Sequence, residues 1–106
     1  MGQAVLRIEG LPHGALDAAA AFHVDWLPRA LALLHPPALG ELLVLVFPAA
    51  PYDHRGWRLA AIQDLARAAA PNRINGITGD SESAIARTID WLAQAPGITG
   101  QLLAVD

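Results

Sequence analysis

The chain has 106 residues, which is enough for one domain with a single packed core. Hydrophobic residues make up 54% of the sequence, charged residues 16%, and the formal net charge is -3. The acidic balance and the scattered arginines exclude a sequence-independent nucleic-acid binder, which needs clustered cations, and the absence of cysteine excludes disulfide and thiolate chemistry. Few polar residues are left to cover the outside of the domain. We therefore expect part of its apolar surface to contact a partner.

The N-terminal segment and the longest alanine-rich stretch bear on the location of the protein. The first ten residues contain an arginine and a glutamate and no long apolar run, so they lack the layout of a secretion signal. The stretch that begins at Ala15 is interrupted by charged residues and by Pro28, far short of the apolar length that a bilayer requires. We therefore expect a cytoplasmic protein that binds neither membrane nor nucleic acid, and the alanine and arginine bias favours a bacterial source.

The first part of the chain predicts a strand followed by a long helix. Residues 4–8 form a short apolar run that Arg7 interrupts, so one side or one edge of this strand is expected to meet water. A helix follows over residues 15–35. Either Pro28 kinks this helix, or Asp25 caps a second helix that has Pro28 in its tolerant first turn. The sequence leaves both arrangements open.

The middle of the chain predicts the central strand and a helix with two apolar faces. The run LLVLVF at residues 42–47 suits a strand buried on both faces, because it is unbroken and rich in aliphatic side chains. Asp53 can cap the next helix, which runs to residue 70. This helix carries two apolar stripes, so we expect one stripe to pack on the sheet and the other on a second surface.

The last third predicts a strand, a helix and a final strand. Residues 73–77 form the third strand, and Asp80 or Ser81 caps a helix that ends at residues 96–97. Residues 101–105 form the fourth strand. This alternation of strands and helices predicts an α/β fold, in which helices cover both faces of a parallel sheet.

Two stretches of the second half carry a family resemblance. Residues 65–79 are LARAAAPNRINGITG, with an Arg-Ile-Asn strand before a Thr-Gly turn, and residues 96–106 are PGITGQLLAVD. Both resemble the C-terminal end of a short-chain dehydrogenase/reductase, and residues 40–47 are similar to the strand that carries the catalytic serine of that family. The resemblance implies a single Rossmann-like domain over residues 1–106. It has three layers and four parallel strands in the order 1-2-3-4, and it lacks the nucleotide-binding half of a full family member.

The positions that carry chemistry in this family do not match. The glycine turns at residues 10–14 and 76–79 lack the spacing that lets a backbone approach a pyrophosphate. The family pairs a tyrosine with a lysine four residues later, which stabilises the phenolate. Here Tyr52 has Gly56 at that distance, with Arg55 one residue too close, and FPAA replaces the serine segment after the central strand. The comparison predicts that dehydrogenase catalysis has been lost, and it assigns no catalytic residue, cofactor or metal.

Polar clusters offer few other candidate site residues. The densest one is a candidate relic pocket that consists of Tyr52, His54 and Arg55. The four histidines lack the spacing of metal ligands, and we expect all of them in loops or on the surface: His13, His23, His35 and His54. Core packing alone would account for the three tryptophans, which are Trp26, Trp57 and Trp91.

Two classes of function follow from the sequence. In members of the family that this chain resembles, the helices before and after the serine strand commonly pair across a two-fold axis. The favoured class is therefore a non-catalytic association module, a homodimer or an accessory subunit of an active dehydrogenase relative. Its candidate interface residues are Trp26, Ala30, Leu33, Trp57, Arg58 and Ala61. The other class is a small-ligand-binding protein or minor enzyme that uses the crevice at the carboxyl ends of the strands, near residues 52–55 and 78–83.

Overall fold

Four parallel strands form one sheet in the order β1-β2-β3-β4. The computed structural model describes residues 3–34 and 42–105. The elements in chain order are strand β1 (Gln3–Arg7), helix α1 (Ala15–Ala21), a π-helical segment (Phe22–Trp26), helix α2 (Leu27–Leu33), strand β2 (Leu42–Phe47), a 3₁₀ turn (Tyr52–His54), helix α3 (Arg55–Ala69), strand β3 (Arg73–Thr78), helix α4 (Glu82–Ala93) and strand β4 (Leu102–Ala104). The predicted α/β, Rossmann-like arrangement and its strand order are confirmed.

The central strand β2 is buried along its whole length. Its residues alternate between two hydrophobic clusters on opposite faces of the sheet, Leu43, Leu45 and Phe47 in the larger cluster and Leu42, Val44 and Val46 in the smaller one. Because both faces of a strand in this position are covered, every side chain can be apolar. The prediction of a central strand at residues 42–47 is confirmed.

The two faces of the sheet are covered unequally. The π-helical segment and the helices α2 and α3 contribute to the larger cluster, whereas α4 alone supplies the helical part of the smaller one. The edge strand β1 reflects this difference, because Val5 faces the α4 side and is exposed. On the same side Arg7 forms an exposed ion pair with Glu82 of α4. The expectation that β1 meets water on one side is confirmed.

The helix after β1 continues through Pro28. A π-helical segment joins α1 to α2, and the Leu27 N–H donates to the carbonyl oxygen of Phe22, five residues earlier. Pro28 then lies in the first turn of α2, where its missing N–H does little harm. The wider turn accommodates the ring, which would otherwise clash with a carbonyl of the preceding turn. Asp25 makes no capping hydrogen bond, so the arrangement with a separate capped helix is wrong.

The two later helices begin differently. Ser81 caps α4, since its Oγ accepts a hydrogen bond from the Ala84 N–H at 3.3 Å. The predicted Asp53 cap of α3 is wrong, because Asp53 lies in the 3₁₀ turn and His54 occupies the cap position without a side-chain hydrogen bond. The turn is closed by the His54 N–H, which donates to Pro51, and it moves the helix start to Arg55.

Some predictions fall on residues outside the described ranges. These are the end of the first helix at residue 35, with His35, and the last residue of the chain, Asp106. Over residues 3–34 and 42–105, no helix combines the length and the apolar character needed to cross a bilayer.

Candidate functional site

The carboxyl ends of the strands form the edge at which ligands bind in open α/β sheets. Three cavities lie there. One, of about 280 Å³, is lined by residues of β1, β2 and α4, and we call it the α4 cavity. A second, of about 220 Å³, lies between the loops after β1 and β2 and also reaches His54 and Arg58. The third, of about 160 Å³, is the α3 cavity, lined by Ala50, Pro51, Tyr52, His54, Arg55, Arg58, Thr78, Leu102 and Ala104.

The charged groups of the α4 cavity are used by the fold itself. Arg7 holds both carboxylate oxygens of Glu82, at 2.9 and 3.0 Å. The Asp80 carboxylate accepts a hydrogen bond from the Ala49 N–H at 3.0 Å, which ties the loop after β2 to the loop after β3. In the part of the chain that the structure describes, no three His, Asp or Glu side chains are grouped as metal ligands.

The structure brings the three residues of the candidate relic pocket to the α3 cavity, together with Arg58 and Thr78. These three residues differ in how far they are exposed to solvent. Tyr52 is 84% exposed, and Arg55 is also exposed, so both lie at the mouth. His54 lies in the 3₁₀ turn, as expected for a histidine in a loop, but it is buried and not on the surface.

Both ring nitrogens of His54 are engaged. Its Nε2 lies 2.9 Å from the carbonyl oxygen of His13, which can only accept, so Nε2 carries the hydrogen. Its Nδ1 accepts from the Trp57 Nε1–H at 3.3 Å. This tautomer satisfies both contacts and ties the loop before α1 to the start of α3. His54 therefore acts as a structural bridge in this geometry.

Arg58 is the charged group most deeply placed at this edge. It is 3% exposed, and its guanidinium lies 4.8 Å from the Phe47 ring centre and 5.6 Å from that of Trp57. One terminal nitrogen donates to the Pro48 carbonyl oxygen at 2.8 Å, while Nε has no hydrogen-bond partner. Burial lowers the pKa of Arg58 below its ordinary value, because the charged form loses hydration.

The sequence contained a signal for the burial of Arg58 that the interpretation of this helix missed. Arg58 shares a helical stripe with Ala61, Ile62 and Leu65, which are all buried. A single arginine within a stripe of core residues indicates a guanidinium that is enclosed by the fold. Arg58 is instead among the predicted interface residues.

Comparison with known proteins decides the family. A family model described as "SDR-like: Short chain dehydrogenase-like protein" matches residues 6–105. The chain belongs to this family. No curated protein and no solved structure gave a significant match. The resemblance drawn from residues 65–79 and 96–106 is confirmed.

The residues that carried the resemblance to the short-chain dehydrogenases hold the last strand in place. Arg73 donates to the carbonyl oxygens of Leu92 and Ala95 at 3.2 and 2.8 Å, and so caps the end of α4. The buried amide of Asn75 donates to Ile98 and accepts from the Gln101 N–H. This part of the family pattern is therefore explained by the architecture of the sheet.

The positions at which short-chain dehydrogenases carry their catalytic groups have other contacts here. After β2, where the family has a serine, the Ala49 N–H is bound by Asp80. Tyr52 lies in the 3₁₀ turn before α3, with its side chain in solvent. Gly79, after β3, packs closely against Val105.

The six candidate interface residues occupy different environments. Ala30, Arg58 and Ala61 lie in the interior, where this chain's own side chains contact them. Trp26 and Trp57 are partly buried against the larger cluster, and Leu33 is exposed. Trp91, in contrast, is largely exposed on α4, so core packing is the wrong explanation for this tryptophan.

Proposed function

We propose that this short-chain dehydrogenase-like domain is a non-catalytic association module that forms a homodimer through the face made by α2 and α3. The observation that carries the proposal is an apolar groove on this face. We call it the association groove. It has a volume of about 260 Å³ and is lined by His23, Leu27, Leu31, Ala61, Asp64, Leu65 and Ala68.

The physical argument rests on apolar side chains that the chain does not cover. Leu31 lines the groove and is 38% exposed, and Leu33 on the same helix is also exposed. Burial of such side chains against a second copy removes apolar area from water. A two-fold axis places the same groove on both partners, so Leu31 of each copy gains a matching apolar surface. The apolar composition of the chain supports the same conclusion.

Leu31→Arg is expected to convert the dimer to a monomer. The substitution places a charge in the groove, where pairing would bury it, and the one carboxylate that lines the groove, Asp64, is already paired with Arg67. Since Leu31 already reaches solvent, the monomer should keep its fold. Sedimentation at micromolar concentration measures the mass, and circular dichroism measures the fold.

The matched control is Leu16→Arg. Leu16 lies on α1 and is 84% exposed, and it does not line the association groove. This variant should remain dimeric. A wild-type protein that sediments as a monomer would refute the homodimer. Trp57 is a poor target for this test, because it packs against Phe22 and Phe47 and its replacement would disturb the core.

NADH and NADPH are expected to show no saturable binding at micromolar nucleotide. The reason is the lack of a glycine-rich turn with the spacing that admits a pyrophosphate to a helix start. Titration monitored by nucleotide fluorescence tests this expectation. Micromolar affinity for either nucleotide would contradict a non-catalytic role and favour an enzyme.

Two finer parts of the proposal concern the partner and the location. If the chain pairs with an active dehydrogenase relative, mixing the two should replace the homodimer with a mixed species in the same sedimentation experiment.

A cytoplasmic location agrees with a chain that has no cysteine. Fractionation of cells that produce the protein tests the location, and recovery outside the cytoplasm would contradict it.

A further inference from the structure

The buried guanidinium of Arg58 lacks a carboxylate partner among the described residues. The two ion pairs there are Arg7 with Glu82 and Arg67 with Asp64, both exposed. The aromatic rings and the Pro48 carbonyl oxygen offset part of the loss of hydration, but Nε keeps no hydrogen bond. A buried cation without a counter-ion is unfavourable, so an anion at this position would stabilise the fold.

A second unpaired polar group lines the same cavity. The hydroxyl of Thr78 is buried and has no hydrogen-bond partner. Arg55 lies at the mouth of the α3 cavity, and no aspartate or glutamate of the described chain lines it. The residues that line the cavity thus carry one buried cation, one exposed cation and one buried hydroxyl. This combination is complementary to a negatively charged group that accepts hydrogen bonds.

The rest of the lining restricts the class of anion. Pro51, Leu102 and Ala104 make much of the wall apolar. The volume of about 160 Å³ lies below the roughly 300–1,000 Å³ of pockets for drug-sized ligands, which suits a molecule of a few carbon atoms. A carboxylate has two oxygens that can accept from an arginine and a hydroxyl, and its short chain suits the apolar wall.

We propose that the α3 cavity binds a small aliphatic monocarboxylate, with Arg58 and Thr78 as hydrogen-bond donors to its oxygens. This site is distinct from the association groove and does not depend on dimer formation. Arg58 and Thr78 do not line the groove, and Leu31 does not line the cavity. Leu31→Arg should therefore leave carboxylate binding unchanged.

Calorimetric titration with butyrate tests the proposal. Butyramide has nearly the same shape without the charge, and inorganic phosphate is an anion without an apolar chain. Butyrate is expected to bind saturably, and at least about tenfold more tightly than either of the other two, because only butyrate satisfies both the charge and the apolar wall. Equal binding of butyrate and butyramide, tighter binding of phosphate, or no butyrate binding would each overturn the proposal.

Two variants connect the binding to the named residues. Arg58→Met should abolish butyrate binding. Because this variant can also disturb packing, Thr78→Val provides an independent test that keeps the shape of the side chain. It should weaken butyrate binding about tenfold. The stability of the ligand-free Thr78→Val protein should stay the same or rise, since a buried unpaired hydroxyl is removed.

The matched control for Thr78→Val is Thr88→Val. Thr88 lies on α4, where its hydroxyl donates to the Ala84 carbonyl oxygen, and it does not line the α3 cavity. This variant should bind butyrate as the wild type does. If Thr78→Val binds butyrate normally, or if Thr88→Val weakens binding equally, the assignment of Thr78 as a ligand donor is wrong.

Discussion

Phe47→Ala is expected to lower the free energy of unfolding by about 3–5 kcal/mol. Phe47 is fully buried at the end of β2 and packs against Phe22 and Trp57, with ring centres 5.8 and 5.9 Å away. Its ring also lies beneath the Arg58 guanidinium, so the substitution removes core contacts and a partner of a buried cation together. Urea unfolding followed by circular dichroism measures the change.

Tyr52→Ala is the control for Phe47→Ala, because Tyr52 is also aromatic but is 84% exposed. It should change stability by no more than about 0.5 kcal/mol. Similar losses for the two variants would mean that the aromatic cluster around Phe47 contributes less than its burial indicates.

Gly79→Ala is expected to lower the free energy of unfolding by about 2–4 kcal/mol. An added Cβ would lie 2.5 Å from the Val105 carbonyl oxygen and 2.6 Å from its Cγ2, and the φ angle of 156° is one that side chains rarely adopt. The backbone after β3 and the chain after β4 would have to separate. Thermal and urea unfolding measure the loss.

Gly97→Ala is the control for Gly79→Ala. A Cβ at position 97 has no neighbour within 4 Å, so this substitution should be neutral within about 0.5 kcal/mol. If Gly79→Ala is as stable as Gly97→Ala, the close approach to Val105 does not restrict this position.

Much of the fold could be predicted because the decisive signals are local. The run at residues 42–47 is apolar at every position, which only a strand covered on both faces explains well. Ser81 precedes an amphipathic helix and has the side chain of a cap, so the start of α4 was nearly fixed by the sequence. The order of the strands came from the family resemblance.

The predicted helix starts at Asp25 and Asp53 were wrong because adjacent residues allow a second local conformation at each place. Pro28 and Asp25 were compatible with a break between two helices, but a single wider turn accommodates the proline and keeps the helix continuous. Asp53 has the side chain of a helix cap, yet the turn closed by Pro51 and His54 uses that position first. Propensity describes a residue and its nearest neighbours, and the tertiary structure selects between such alternatives.

The candidate site was the hardest part to predict, because it depends on contacts between distant segments. The burial of His54 requires the carbonyl group of His13, which belongs to the loop before α1. The environment of Arg58 requires Phe47 from a strand and Trp57 from the same helix. A sequence shows that these residues exist, but only the assembled sheet shows which of them enclose a charge.

The all-parallel sheet also has a consequence for how the chain folds. Every strand pairs with a strand that lies beyond a complete crossover, and even the closest such pairing joins Gly76 to Leu102. The sheet therefore offers no hairpin that can form early from adjacent residues. The long crossover between two strands must become ordered before their pairing can lower the free energy. This chain should therefore fold more slowly than a helical bundle of the same length.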